Sequence, residues 1–314
     1  MKNGLIIFAL FLSACGGTAA NQNTAVNTAA TPPAFAAKQA ADAELERQFA
    51  EIAMDAKGKV GVAAVVFETG QNAALNGGER FPMQSVYKLP IAMTVLKKVD
   101  EGALSMDQEV SITKDDFVSA GQRSPIRDEH PDGTKMKLWQ VVEAAVSESD
   151  GTASDVLLRL VGGAGEVQKY VGQLGINDIS IKNTEKEMAK EWKMQYDNSS
   201  TPRAALSLLT ELKEARSVPV EKISLIRDFM NDSLTGPKRL RGLLPESTYV
   251  AHKTGTSGTE KGITAATNDI GIIYLPNGKY MAIAVFVSDS PADEKTRDAV
   301  IAKIAKAAWD KWGM

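Results

Sequence analysis

Strand signals fall at the two ends of this chain and a long helical stretch lies between them, which restricts the fold more than any other feature. A helix opens near Asp42, with Leu45, Phe49, Ile52 and Ala53 at helical spacing. Lys57-Gly58-Lys59 breaks it through the glycine, and Val60 to Thr69, rich in Val and Ala, reads as a strand. Gly70 and Gly77-Gly78 supply the next turns. From about Ser85 to Pro245 the signals are mainly helical, as at Leu138 to Ser147, Ala153 to Leu160 and Pro202 to Ala215. Strands return at Tyr249 to Thr256 and at Asp269 to Leu275. Pro276-Asn277-Gly278 joins the latter to Tyr280 through Val287, and Asn-Gly between two apolar runs signals a hairpin. A final helix sets Ile301, Ile304, Ala305, Ala308, Trp309 and Trp312 on one face. The expected fold class is α/β (α+β): an antiparallel sheet built from both chain ends with flanking helices, plus an inserted all-helical lobe over about 83–247, within one domain spanning 41–314. A cleft between the two lobes is the expected place for a site.

The first forty residues read differently. Lys2 precedes a short apolar run from Leu5 to Leu12, followed by Ser13-Ala14-Cys15-Gly16-Gly17. A charged start, a short apolar core and small residues describe an export signal over 1–14. The Leu12-to-Cys15 motif resembles a bacterial lipobox, in which the cysteine carries the lipid; an ordinary signal peptide with a chance cysteine is the alternative. Residues 15–40, poor in apolar side chains, read as a lipid attachment site and tether. Cys15 is the only cysteine, so no intramolecular disulfide forms. No internal apolar stretch approaches the roughly 20 residues of a spanning helix. The formal net charge of −3 gives no signal for nucleic acid. The expectation is a protein of the periplasm or cell envelope, monomeric, touching a membrane only through the N-terminal lipid.

The histidine count limits the chemistry. His130, His252 and the lone Cys15 cannot build a nitrogen- and sulfur-rich zinc site, so no metal is expected. His252 sits beside Lys253 and His130 lies in a polar loop, which fits a histidine-dependent serine triad poorly. A serine nucleophile without histidine needs lysine or glutamate as its base. Ser85-Val86-Tyr87-Lys88 puts a lysine three positions after a serine, on one face of a helix start. There the serine meets the positive end of the helix dipole and unpaired N–H groups able to hold an oxyanion. Ser111-Ile112-Thr113-Lys114 matches the same pattern but leads into a solvated turn, whereas Lys88 leads into the apolar run Leu89 to Leu96. On this pattern alone, Ser85 reads equally well as a helix cap.

Two further motifs change the balance. Ser149-Asp150-Gly151 follows a helix, and Lys253-Thr254-Gly255 lies on a strand candidate. Ser-x-x-Lys, Ser-Asp-Asn and Lys-Thr-Gly occur together in class A β-lactamases and penicillin-binding proteins. From about residue 42 onward the chain resembles a class A β-lactamase, with Ser124-Pro125, Thr235-Gly236-Pro237 and Asn268-Asp269 as further matches. Lys253 to Gly258 and the loop features are similar to the extended-spectrum branch with an enlarged Ω-loop. The resemblance implies Ser85 as nucleophile, with Lys88, or Glu185 through water, taking its proton. It implies Ser149 as proton donor to the leaving nitrogen, and backbone N–H groups of Ser85 and Thr256 as the oxyanion hole. Lys253, Thr254, Gly255 and Thr256 would hold the substrate carboxylate, with no cofactor. Arg239 is a candidate to add charge there, since Thr267-Asn268-Asp269 carries no arginine; a solvated surface arginine is the alternative.

Three departures accompany the match. Gly151 stands where the family usually has an asparagine that binds the substrate's acylamino group. The deacylating glutamate, counted back from Thr201-Pro202, is Glu185, yet Lys186 and Ala189 replace the usual proline and asparagine, Glu187 competes, and a charged surface loop in which neither has the role is the remaining alternative. Asn198 falls where many members place an aspartate. The resemblance implies hydrolysis of penicillins and cephalosporins, and hence antibiotic resistance. A D-alanyl-D-alanine peptidase, or a non-hydrolytic lipoprotein that binds β-lactams or cell-wall peptide, are the alternatives.

Overall fold

The computed structural model describes Met1 and residues 40–314, so the expected export signal after Met1, Cys15 and nearly all of the expected tether lie outside the described residues. Helix α1 (Ala43–Ala53) starts where Asp42 accepts the Leu45 N–H, and it buries Leu45 and Phe49. The chain turns out of it at Lys57, which holds the left-handed conformation (φ 51°), not at Gly58. Gly58 answers a different need, because a Cβ there would lie 2.5 Å from the Ser288 carbonyl oxygen. Strands β1 (Lys59–Val66), β2 (Asn72–Leu75) and β3 (Phe81–Pro82) follow.

The middle of the chain runs through α2 (Lys88–Asp100), β4 (Glu109–Ile112), α3 (Pro125–Glu129), β5 (Thr134–Lys137), α4 (Leu138–Val146) and α5 (Gly151–Val161). It continues through α6 (Ala164–Gln173), β6 (Ile179–Ser180), α7 (Glu185–Met188), β7 (Ser199–Ser200), α8 (Pro202–Glu214) and α9 (Val220–Asn231). Then come β8 (Val250–Thr256), β9 (Thr259–Glu260), β10 (Ile263–Tyr274), β11 (Tyr280–Ser290) and α10 (Glu294–Trp312).

The main sheet joins the two chain ends in the order β2-β1-β11-β10-β8, with β9 on the side of β10, and its paired strands are antiparallel. Pro276-Asn277-Gly278 closes the β10–β11 hairpin as a three-residue loop: Leu275 N–H bonds Lys279 O at 2.8 Å and Gly278 takes φ 82°. β10 begins six residues before the expected Asp269. Thr264, Thr267 and Asn268 interrupt its apolar run in sequence, yet all three are buried. Thr264 pairs with Thr259, Thr267 accepts from Arg297 and Asn268 Nδ2 donates to the backbone ahead of Ser85, while Asn268 Oδ1 has no partner among the described residues.

Each face of the sheet has its own core. Leu45, Phe49, Val62, Ile283, Ile301 and Trp312 pack under α1 and α10. On the other face Ala63, Val65 and Phe286 join one continuous apolar cluster with α2, α4, α5 and α8. The central helices therefore keep no separate core, since Leu208 and Leu209 of α8 belong to the cluster that covers the sheet. Helix α2 is buried from Lys88 through Leu96, the central post of the molecule. The cleft opens where its first turn meets the end of β8.

Candidate active site

Ser85 lies in a single tight turn, Gln84–Tyr87, that runs straight into α2 at Lys88. The turn is pinned from the sheet side. Asn268 Nδ2 donates to Pro82 O (2.8 Å) and Met83 O (3.1 Å), tying β10 to the residues just before the serine. Gly255 lets β8 approach equally closely, because a Cβ there would stand 2.3 Å from Met83 O. The glycine of Lys-Thr-Gly is thus a requirement of close approach between strand and the Ser85 turn. Lys88 as the first residue of α2 puts Pro90 in the first turn, where a missing N–H costs little.

Ser149 connects α4 to α5 with φ 62°, a conformation that strains a non-glycine residue and persists only when its surroundings hold it. Two lysines hold it here: Lys88 Nζ donates to Ser149 O at 2.7 Å, and Lys253 Nζ to Ser149 Oγ at 2.9 Å. Asp150 secures the same junction, accepting from Ala153 N, Ser124 Oγ and Ile126 N. That network accounts for the Ser124-Pro125 match. Lys253 is fully buried, and burial, followed by the repulsion of Lys88, pushes its ammonium well below the usual lysine range.

Glu185, the first residue of α7, places Oε1 3.0 Å from Lys88 Nζ, with both side chains buried. Glu187 is otherwise engaged: its carboxylate accepts the Thr184 N–H (2.8 Å) while Thr184 Oγ1 accepts from Glu187 N, a capping box that opens α7. Of the two candidates, only Glu185 meets Lys88. The loop around it is gathered by Asn198, whose amide accepts from Lys182 N and Asn183 N and donates to Asn183 O. An asparagine suffices there because its carbonyl oxygen supplies the acceptor.

Sequence reasoning missed Asp155. Its carboxylate accepts the backbone N–H groups of Glu185 (2.7 Å) and Lys186 (3.1 Å), so it anchors the Glu185 loop to α5. Burial raises it to about 6, against the two amides that favour its charged form. No motif marks it; a carboxylate one turn beyond Gly151, among residues otherwise buried as far as Leu158, is the only trace.

Arg239 is not a solvated surface arginine. It is 3% exposed and pairs with Asp298 of α10 at 2.7 Å. It also donates to Asn268 O and, through Nη2, to Thr256 Oγ1 at 2.9 Å. Thr254 Oγ1 bonds Thr235 Oγ1 at 2.6 Å, which brings the Thr235-Gly236-Pro237 segment to the site. Gly151 offers no side chain, and its backbone N–H bonds Arg123 O at 2.9 Å. His252 is buried with Nδ1 against Asp269 (2.8 Å) and His130 is exposed, so neither meets Ser85. Ser85, Lys88, Ser149, Glu185, Thr254 and Thr256 share one cleft of about 840 Å³, which Arg239 also lines.

Ser85 and Ser149 share the cleft with Lys88 and a buried carboxylate, and Lys253 is bonded to Ser149, a set that can cleave an acyl bond without a histidine base. The sequence profile of the β-lactamase enzyme family matches residues 44–312. The chain is 42% identical over 254 residues to β-lactamase VEB-1 of Pseudomonas aeruginosa, covering 80% of this chain and 85% of that one. It is 37% identical over 265 residues to the extended-spectrum β-lactamase PER-1 of the same organism, covering 84% and 86%. The crystal structure of TLA-3 extended-spectrum β-lactamase superposes with a TM-score of 0.84 at 41% identity, covering 86% of this chain and 99% of that one. A class A β-lactamase from Bacteroides cellulosilyticus superposes at 0.81 with 32% identity, covering 86% and 97%. The chain belongs to the β-lactamase enzyme family, and within it is a class A serine β-lactamase.

Proposed function

We propose that the cleft opens β-lactam rings, those of oxyimino-cephalosporins included, by the following division of labour. Ser85 Oγ attacks the lactam carbonyl and its proton passes to Lys88, or through water to Glu185. The 3.0 Å contact between these two groups lets either return it to the other. Backbone N–H groups of Ser85 and Thr256 receive the oxyanion. As the C–N bond breaks, Ser149 Oγ gives its proton to the departing nitrogen; Lys253, donating to that oxygen, favours its negative charge. Thr254, Thr256 and Arg239 bind the substrate carboxylate. Lys253 serves that end of the cleft as a buried charge beneath it, since its ammonium is turned to Ser149. Glu185 then takes a proton from water, which attacks the ester carbon and frees Ser85. No cofactor enters.

The observation that carries this reading is the Glu185 carboxylate beside Lys88, a group able to activate water over the ester. A peptidase whose penicilloyl ester persists has no use for it. Steady-state turnover of benzylpenicillin and of an oxyimino-cephalosporin by the purified protein tests the reading. Hydrolysis of both supports it, and a stable acyl-enzyme with either substrate contradicts it for that substrate.

The same proposal places the enzyme in the cell envelope as a monomer, held by a lipid on Cys15 after cleavage of residues 1–14. The Leu12-to-Cys15 motif supports it. Cys15→Ala is expected to release the protein from membrane fractions and to change its mature mass. Equal membrane association without a mass change abolishes the anchor.

A further inference from the structure

Most β-lactam drugs carry an acylamido group on the ring, and its carbonyl oxygen needs a donor when the ring is seated over Ser85. Three carboxamides line the cleft: Gln84, Gln122 and Gln195. Gln84 Nε2 and Gln195 Oε1 are bonded to one another at 3.0 Å. Gln122 differs. Its Oε1 accepts from Ser119 N (3.3 Å) and Ser119 Oγ (3.1 Å), which turns Nε2 toward Glu185. One contact of Nε2 is short, 2.7 Å to Glu185 O; the other is long, 3.2 Å to Glu185 Oε2. Gly151 supplies no side chain on this wall. Its N–H bonds Arg123 O, and a Cβ there would lie 3.2 Å from that oxygen, so the loop carrying Gln122 packs directly on the start of α5.

The geometry points to Gln122 as the residue that binds the substrate's acylamide carbonyl, giving up its long bond to Glu185 Oε2 when that oxygen arrives. The short bond to the backbone of Glu185 keeps the carboxamide in place during the exchange. Gln122 then selects for acylamido β-lactams over those with a bare amine at the same carbon. This rests on the β-lactamase reading of the site.

The test compares benzylpenicillin with 6-aminopenicillanic acid, which has the same bicyclic nucleus without the acyl group. kcat/KM reports steps through acylation, and the ratio of the two values cancels any general effect of a variant on Ser85, Lys88 or Glu185. In Gln122→Ala and in Gln122→Glu, which keeps the shape and removes the donor, the ratio is expected to fall roughly tenfold, as for one lost substrate hydrogen bond. An unchanged ratio in both variants, whatever the absolute rates, overturns the proposal and leaves Gln122 as a prop for Glu185. Absence of turnover of either substrate by the parent would instead mark a failure of the underlying reading.

Discussion

Removing Arg239 separates the ion pair this residue makes from the substrate contact proposed for it. Its guanidinium pairs with Asp298, whose side chain is 11% exposed, and donates to Thr256 Oγ1 and Asn268 O. Arg239→Ala leaves the Asp298 carboxylate without its partner in a poorly solvated place, a loss worth about 3–5 kcal/mol for a buried pair. Because Arg239 borders the cleft, water relieves part of this and the lower end, about 3 kcal/mol, applies. At roughly 2–4 °C per kcal/mol for a domain of this size, Tm drops by about 6–12 °C. The double variant Arg239→Ala/Asp298→Ala removes the stranded charge and is expected to recover at least half of that drop. KM behaves otherwise: losing a charge-assisted contact to the substrate carboxylate raises KM for benzylpenicillin by roughly tenfold, and the double variant keeps the defect. Differential scanning calorimetry and steady-state kinetics on the single and double variants read the two effects. A single variant within 2 °C of the parent contradicts the desolvated ion pair, and a KM restored in the double variant contradicts the substrate contact.

Three further outcomes follow from the geometry. Asp155 is raised to about 6, so the folded state binds its proton more tightly than the unfolded chain; its contribution to stability is present at low pH and falls, by on the order of 3 kcal/mol, as pH rises through about 6. The ionised form is nonetheless the one that accepts the Glu185 and Lys186 N–H groups. Turnover should therefore decline below about pH 6, and in Asp155→Asn that limb should vanish from a lower plateau; a rate–pH profile with the limb intact refutes the assignment. Gly255→Ala forces a Cβ against Met83 O and shifts the nucleophile turn, with kcat/KM for benzylpenicillin expected to fall about 10²-fold; parental kinetics would show that the strand adjusts freely. Asn198→Ala removes the acceptor of two loop amides, part-buried at Lys182 and buried at Asn183, the latter at about 1–3 kcal/mol, so hydrogen exchange at both should accelerate while that of α2 stays slow.

Much of the sheet is readable in the sequence because apolar runs and turn residues coincide there, as in the hairpin at Asn277-Gly278. It fades where buried polar groups are paired by distant residues: Thr267 with Arg297, Asn268 with the backbone at Pro82. Ser85, Lys88, Ser149 and Lys253 are visible as short motifs since each must hold a fixed place relative to a helix start or a strand end. Glu185 and Glu187 are indistinguishable by spacing alone, two carboxylates two residues apart. What separates them is a capping box that occupies Glu187 and the helix α2 that presents Lys88 to Glu185. The same limit hides Asp155 and Gln122, whose roles arise from contacts 30 and 63 residues away in the chain. Arg239 was legible as a charge near the site, but its pairing with Asp298 depends on how α10 packs on the sheet.

The central claim is that Glu185 hydrolyses an ester carried by Ser85. Lys88 still deprotonates Ser85 when Glu185 is gone, whereas water over the ester loses its base. Intact-protein mass spectrometry of Glu185→Ala after brief exposure to benzylpenicillin should show the protein mass increased by one penicillin, with kcat lowered by about 10²–10⁴. Ser85→Ala should show no added mass, and Glu187→Ala should turn over without accumulating the adduct. An adduct on Glu187→Ala together with normal turnover by Glu185→Ala would contradict the account.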